Sequence, residues 1–208
     1  MIIKSQKLIS AVTWLLVFLP IIIMGWGFYQ VQFAGDILYY GAEPGKAIVH
    51  QVGQWALGFL ILVLAATPLR SLGWINLAAV RRRIGLAVFA YAFLHILMYL
   101  LLMLGFEFSE LGADIQKRPY ILIGFLAFLL LVPMAVTSTK GWQKRLKKSW
   151  KTLHRLVYVV GGLVLLHLWW QVKAGFALAL IASILMLIIF VIRIRPFFLA
   201  RLKTSSNL

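Results

Sequence analysis

Residues 150–171 read WKTLHRLVYVVGGLVLLHLWWQ, and this stretch places two histidines, His154 and His167, in one apolar run. The other two histidines of the chain are His50 and His95. An imidazole is costly to leave unpaired in hydrocarbon, so a histidine within a membrane span is by default a candidate metal ligand or proton carrier. The run therefore indicates both a membrane helix and a functional site.

The whole chain has the apolar composition of a membrane protein. Its 208 residues are 63% hydrophobic, with a mean hydropathy of +0.96, far from the composition of a soluble domain. A helix needs about 20 apolar residues to cross hydrocarbon about 30 Å thick. Six runs meet this requirement, and they begin near Leu8, Gln51, Ile84, Pro119, His154 and Ala174. We therefore predict an all-α, polytopic membrane bundle of six transmembrane helices, forming one domain over residues 1–208.

The charged residues indicate the orientation of this bundle. If both termini are cytoplasmic, 17 of the 21 basic residues lie inside and all five acids lie outside. Such a bias of Lys and Arg toward short cytoplasmic loops is the rule that sets membrane topology. The net charge of +16 therefore predicts cytoplasmic termini and contact with membrane lipid, and no nucleic-acid partner. The basic residues left outside are Lys46, Lys117, Arg118 and Lys173, and the acids are Asp36, Glu43, Glu107, Glu110 and Asp114.

The absence of cysteine restricts the possible redox centres. Without thiols the chain cannot form disulfides, iron–sulfur clusters, thiolate zinc sites or haem attached through a C-x-x-C-H motif. Any redox centre must therefore be held by other ligands.

Two of the histidines are predicted to lie at the same depth. His95 follows Arg83 by 12 residues, and His167 follows Arg155 by 12, on spans three and five, which run in the same direction. At 1.5 Å per residue both imidazoles lie about 18 Å from the inner arginines, so they can bind one metal from two sides. No Cys, Asp or Glu lies within a span to complete a zinc or copper site. Haem supplies four nitrogens of its own, which favours haem.

His154 lies 13 residues before His167, about 20 Å lower and near the cytoplasmic surface. The same depth on span three is occupied by Arg81 or Arg82 instead of a histidine. A second, inner haem would thus have His154 on one face and an arginine, water or nothing on the other. Thirteen residues turn an ideal helix by about 140°, and Gly161-Gly162 would allow a bend between the sites. One or two haems remain possible.

Other interpretations of these residues stay open. His95 and His167 could bond to each other or relay protons, and His154 could be interfacial. His50, at the outer edge of span two, is expected to form an interfacial hydrogen bond, and metal ligation is the alternative. The glycines Gly53, Gly58, Gly85 and Gly124 are interpreted as helix-packing positions.

The loop 140–152, KGWQKRLKKSWKT, contains six Lys or Arg residues interleaved with Trp142 and Trp150. This pattern is typical of a short interfacial helix on anionic lipid. Docking of an acidic cytoplasmic partner is the alternative.

Several segments also carry a family resemblance. HQVGQWAL, RRRIGLAVFAYAFLH, RPYILIGF, TSTKGWQKRLKKSWKTLHRLVY and HLWWQVK occur in this order between residues 50 and 173. They resemble the MsrQ family, also called YedZ, which comprises the haem-binding membrane subunits of bacterial methionine sulfoxide reductase systems. This family belongs to the ferric reductase-like transmembrane superfamily, and the likeness covers residues 47–175.

The resemblance implies a b-type cytochrome of the bacterial inner membrane that is not catalytic alone. Members pass electrons from the quinol pool, or from a cytoplasmic flavin reductase, to the periplasmic molybdenum subunit MsrP, which repairs oxidised methionine in exported proteins. By position, His95 and His167 would hold the outer haem b, and His154 would serve the inner one, with Arg81 or Arg82 as its neighbour.

The family also implies flavin mononucleotide (FMN) as a cofactor, but the chain has no G-x-G-x-x-G fingerprint. It has no room for a nicotinamide domain either, so the electron donor must be a separate molecule. Two rival functions remain. One is a haem reductase that passes electrons to ferric iron or oxygen, and the other is a haem-free transport protein with a histidine proton path.

Overall fold

The computed structural model describes residues 6–172 and 176–205, with side chains from 7 to 172 and 176 to 195. Within these residues the chain is helical, and no strand occurs in them. The all-α prediction is therefore confirmed. The helices are α1 (Gln6–Gln32), α2 (Pro44–Ser71), α3 (Arg81–Leu102), α4 (Phe108–Lys117), α5 (Tyr120–Val136), α6 (Lys140–Leu146), α7 (Lys148–His154), α8 (Val157–Gln171) and α9 (Ala177–Ser205).

The chain is a multi-pass membrane protein. Five segments of the described chain are long and apolar enough to cross a membrane alone, and α7 with α8 counts as one of them, Lys148–Gln171. The pair α4 and α5, which bends by 113° between the two helices, makes a sixth candidate span when the two helices are counted together. The 17 residues of α5 extend about 25 Å, near the lower limit for a span. The basic positions Lys4 and Lys173 and the expected start of span six, Ala174, lie outside the described residues.

Two regions outside the predicted spans contain helix. Helix α2 begins at Pro44 instead of Gln51, because proline suits the first turn, where its missing N–H is not needed. The acidic segment after α3 forms α4, which is held in place by its buried residue Asp114. Tyr99 on α3 donates a hydrogen bond of 2.6 Å to this carboxylate, and Arg118 pairs with it from the other side.

Four helices form a ring at the centre of the bundle. α2 packs on α3, α3 on α5, α5 on α8, and α8 packs again on α2, so α3 and α8 occupy opposite corners. Helix α1 lies outside against α2 and α3, and α9 lies against α2 and α8. The ring buries Val52, Leu60, Ile84 and Val160 almost completely. By contrast, α1 and α9 expose many large apolar side chains, as lipid-facing helices do.

The two ends of the bundle differ in charge, and we name them accordingly. The basic end contains residues 70–83 and 140–155, whereas the acidic end contains Asp36, Glu43 and α4. The assignment of the basic end to the cytoplasm stays a prediction.

The fifth span is interrupted near the basic end. The break falls at Arg155-Leu156, between α7 and α8, and not at Gly161-Gly162. Gly161 instead packs in ordinary contact, because an added Cβ would lie 3.6 Å from Leu64 and 3.8 Å from the sulfur of Met186. Gly161-Gly162 would allow a bend or the close approach of a macrocycle, and the observed break lies about two turns before it.

The interfacial helix expected at 140–152 is divided into α6 and α7. Thr139 caps α6 by accepting a hydrogen bond of 3.3 Å from the backbone N–H of Trp142. Lys147 then adopts a positive φ of 48°, which ends α6 and redirects the chain into α7. This turn brings His154 to the basic end of the ring.

Candidate functional site

His95 on α3 and His167 on α8 lie close together at the centre of the four-helix ring. The centres of their imidazole rings lie 6.4 Å apart, with an angle of 89° between the imidazole planes. Both side chains are half-buried. Equal depth on spans three and five predicted this proximity, and the structure brings the two rings together as expected.

Helix α2 fixes the ring of His95 through two contacts. Nδ1 of His95 lies 2.8 Å from the carbonyl oxygen of Val49. One helical turn later, Gly53 lies so close that an added Cβ would be 2.9 Å from Cε1 of His95. The carbonyl orients the ring, and the missing side chain of Gly53 makes room for it.

The same pair of contacts occurs at His167. Its Nδ1 lies 2.7 Å from the carbonyl oxygen of Tyr120 on α5, and an added Cβ at Gly124 would be 2.8 Å from Nδ1. Histidine and carbonyl are 47 residues apart in this pair and 46 in the pair of His95 with Val49. The two half-sites are thus built alike, although no internal repeat is apparent in the sequence.

The hydrogen bonds determine which ring nitrogen can bind a metal. A carbonyl oxygen only accepts, so Nδ1 carries the proton in each neutral ring and Nε2 carries the lone pair. A bond from the second nitrogen to a backbone carbonyl is the usual support of a metal-binding histidine. Both imidazoles therefore have the tautomer of a ligand bound through Nε2.

The spacing of the two rings also fits two ligands of one metal. Two bonds of about 2 Å, with about 1 Å from each nitrogen to its ring centre, require ring centres about 6 Å apart. The described residues contain no cluster of three or more His, Asp or Glu able to hold a bare ion. Two imidazoles are the donor set that haem needs, because the porphyrin provides the other four nitrogens.

His50 has a different arrangement. The side-chain amide of Gln171, at the end of α8, donates a hydrogen bond of 2.8 Å to Nε2 of His50. Nε2 of His50 therefore already accepts a hydrogen bond, whereas Nε2 of His95 and of His167 stays available to a metal. His50 joins the start of α2 to the end of α8, which agrees with the hydrogen-bonding role expected from sequence.

His154 is the last residue of α7. Its Nδ1 lies 3.0 Å from the carbonyl oxygen of Trp150, and its ring stacks on the Trp150 indole with 4.0 Å between ring centres. The indole in turn donates a hydrogen bond of 3.0 Å to the carbonyl oxygen of Thr137 at the end of α5. Nε2 of His154 is buried and has no hydrogen-bond partner among the described residues. The backbone carbonyl oxygen of Met134 also acts on this imidazole. Nε2 makes no hydrogen bond of normal geometry, so it is available to bind a metal.

The structure separates the two arginines proposed beside His154. Arg81 is half-buried, and its charge acts on the imidazole of His154. The side chain of Arg82 is exposed. Arg81 is therefore the arginine that lies near His154 at the basic end.

Sequence reasoning missed two further residues at this position. Arg193 on α9 lies over the ring of Tyr158, 5.0 Å from its centre, and both residues interact electrostatically with Arg81. From sequence, Arg193 is only one of the positive charges near the cytoplasm.

The sequence analysis also missed the role of Gly53 and Gly124. Their signal was the spacing to the histidines, 42 residues from Gly53 to His95 and 43 from Gly124 to His167.

Comparison with known proteins identifies the family of the chain. Residues 52–166 match the family model described as ferric reductase like transmembrane component. The chain is 48% identical over 157 residues to the protein-methionine-sulfoxide reductase heme-binding subunit MsrQ of Xanthomonas oryzae pv. oryzae, covering 74% of this chain and 71% of that protein. It is 46% identical over 191 residues to the MsrQ protein of Xanthomonas campestris pv. campestris, covering 89% and 87%.

No solved structure matches the chain. The sequence relationship is sufficient without one, because identity near one half extends over most of both chains. The chain therefore belongs to the MsrQ family, and residues 52–166 correspond to its ferric reductase like transmembrane component.

Proposed function

We propose that the chain is a b-type cytochrome subunit of a methionine sulfoxide reductase system, with His95 and His167 as the axial ligands of one haem. The observation that carries this proposal is the position of two imidazole rings 6.4 Å apart on opposite helices of the ring. The names of the relatives, which call them heme-binding subunits, agree with it.

The protein residues position the ligands. The carbonyl oxygens of Val49 and Tyr120 accept the two Nδ1 protons, which leaves both Nε2 lone pairs available to a metal. Gly53 and Gly124 leave space for the rings against the neighbouring helices. Iron bound there as haem supplies one-electron chemistry between its ferric and ferrous states.

A second haem site is proposed at the basic end, with His154 as its ligand. Two observations support this assignment. Nε2 of His154 is buried without a hydrogen-bond partner among the described residues, and the Trp150 indole stacks on the imidazole. Arg81 lies beside it. The two sites would then lie toward opposite ends of the bundle, which suits a protein that carries electrons across the membrane.

The proposed acceptor is the periplasmic molybdenum subunit MsrP, and the proposed donor is the quinol pool or a cytoplasmic flavin reductase. The chain is then not catalytic alone. It is placed in the bacterial inner membrane with both termini in the cytoplasm. FMN, which the family resemblance implies, is kept as a further candidate cofactor, although the sequence has no G-x-G-x-x-G fingerprint.

A visible spectrum and an iron analysis of the purified, full-length protein test the proposal. We expect the sharp reduced bands of bis-histidine b haem, lost in His95→Ala and in His167→Ala and kept in the control His50→Ala. His154→Ala is expected to lower iron per polypeptide while leaving the bis-histidine bands. Wild-type protein without haem would favour the proton-path alternative.

The acceptor is tested with the reduced protein. Purified MsrP should reoxidise it rapidly, and methionine sulfoxide repair in the periplasm should fail on deletion. Reoxidation by ferric iron or oxygen but not by MsrP would favour the rival acceptor.

A further inference from the structure

A pair of arginines at the basic end has no acidic partner among the residues that the structure describes. Arg81 begins α3, and Arg193 lies on α9, and their charges act on each other. Both side chains are half-buried. Two like charges this close in a poorly solvated place repel each other unless an anion lies between or beside them.

The guanidinium of Arg193 is incompletely bonded. Its Nη1 is buried and has no hydrogen-bond partner among the described residues. Its Cζ atom lies over the Tyr158 ring of α8, 5.0 Å from the ring centre, which restricts the positions of the remaining N–H groups. A buried, oriented guanidinium with a free donor is a common way to bind an oxyanion.

The protein cannot supply that anion from its own side chains. All five carboxylate side chains, Asp36, Glu43, Glu107, Glu110 and Asp114, belong to segments at the acidic end. Asp114 is already engaged there by Tyr99 and Arg118. No acidic side chain of the protein is therefore placed to pair with Arg81 and Arg193.

We propose that Arg81, Arg193 and Tyr158 form a binding site for an oxyanion, either a carboxylate or a phosphate. Guanidinium groups from α3 and α9 bind the anion, and the Tyr158 hydroxyl adds a neutral donor. Two kinds of molecule at the basic end could supply this oxyanion. One is the carboxylate groups of a haem held by His154, which rests on the proposed function. The other is the phosphate of an anionic lipid, which does not.

The two sources are distinguished in full-length protein in nanodiscs of phosphatidylcholine with phosphatidylglycerol. Arg81→Gln and Arg193→Gln remove one charge each. Arg193→Lys keeps the charge and controls for folding, and Arg195→Gln removes an exposed charge on the same helix. The readouts are the phosphatidylglycerol retained after extraction, by native mass spectrometry, and the haem midpoint potential, by reductive titration.

If haem carboxylates occupy the site, both Gln variants lower the midpoint potential of the haem that His154→Ala removes, because a cation beside ferric iron is lost. Retained lipid then stays as in wild type. If lipid occupies it, both variants lose retained phosphatidylglycerol and the potentials stay unchanged. Arg195→Gln should change neither quantity.

The proposal is overturned if neither quantity changes in Arg81→Gln and Arg193→Gln relative to Arg195→Gln. Wild-type protein without any haem would refute the proposed function separately. The lipid measurement then still decides whether the oxyanion site exists.

Discussion

Gly53 lies directly against the imidazole of His95, so closely that an added Cβ would be 2.9 Å from Cε1 and 3.1 Å from Nδ1. The ring cannot move freely aside, because its Nδ1 is bonded to the carbonyl oxygen of Val49. Gly124 has the same relationship to His167. These two glycines are thus as necessary for the positions of the rings as the hydrogen bonds are.

We therefore predict that Gly53→Ala and Gly124→Ala each displace a histidine ring and reduce bound haem by at least about tenfold in affinity, about 1.4 kcal/mol. Gly58→Ala is the matched control, because nothing lies within 4 Å of a Cβ added there. Alanine favours helix over glycine by about 1 kcal/mol, so loss of haem cannot result from a weakened helix. Haem per polypeptide, measured as the pyridine haemochrome, checks this. Equal haem in all three variants would contradict the role of the glycines.

The orientation of the bundle can be tested directly because the chain has no cysteine. Glu110→Cys at the acidic end and Lys144→Cys at the basic end both replace exposed side chains. A membrane-impermeant maleimide added to intact cells with a permeabilised outer membrane should label Glu110→Cys only. Labelling of both should follow disruption of the inner membrane. The reverse pattern in intact cells would place the termini in the periplasm.

The sequence predicted the depths of the histidines because the rise of a helix per residue is fixed. It did not predict what each ring touches, since this depends on the rotation of each helix and on its neighbours. Thus the closeness of His95 and His167 was predictable, whereas the contact of Arg193 with Tyr158 was not. Helix α4 was missed for a related reason, because its burial of Asp114 depends on partners in α3 and after its own end.

Asp114 is predicted to stabilise the acidic end. Its carboxylate is 8% exposed and accepts hydrogen bonds from Tyr99 and Arg118, which joins α4 to α3. Asp114→Asn removes the charge that both bonds depend on and should cost about 1–3 kcal/mol. Thermal unfolding in detergent measures the loss. Glu110→Gln on the same helix is the control, since Glu110 is exposed and a single surface charge contributes little. Equal melting temperatures for both variants would refute the prediction.

The hydrogen bond between Gln171 and His50 gives a last prediction, because His50 lies near His95 and His167, the proposed haem ligands, and the bond does not use their nitrogens. The bond of 2.8 Å joins the start of α2 to the end of α8, the helices that carry Gly53 and His167. Removing either partner should lower stability by about 1 kcal/mol, a typical value for one hydrogen bond between membrane helices. A double-mutant cycle of His50→Ala and Gln171→Ala should therefore show that the second substitution adds little to the first. Haem content should stay near the wild-type value in all three variants. Loss of haem in His50→Ala alone would instead indicate that this histidine binds the cofactor, and additive costs would show that the two side chains act independently.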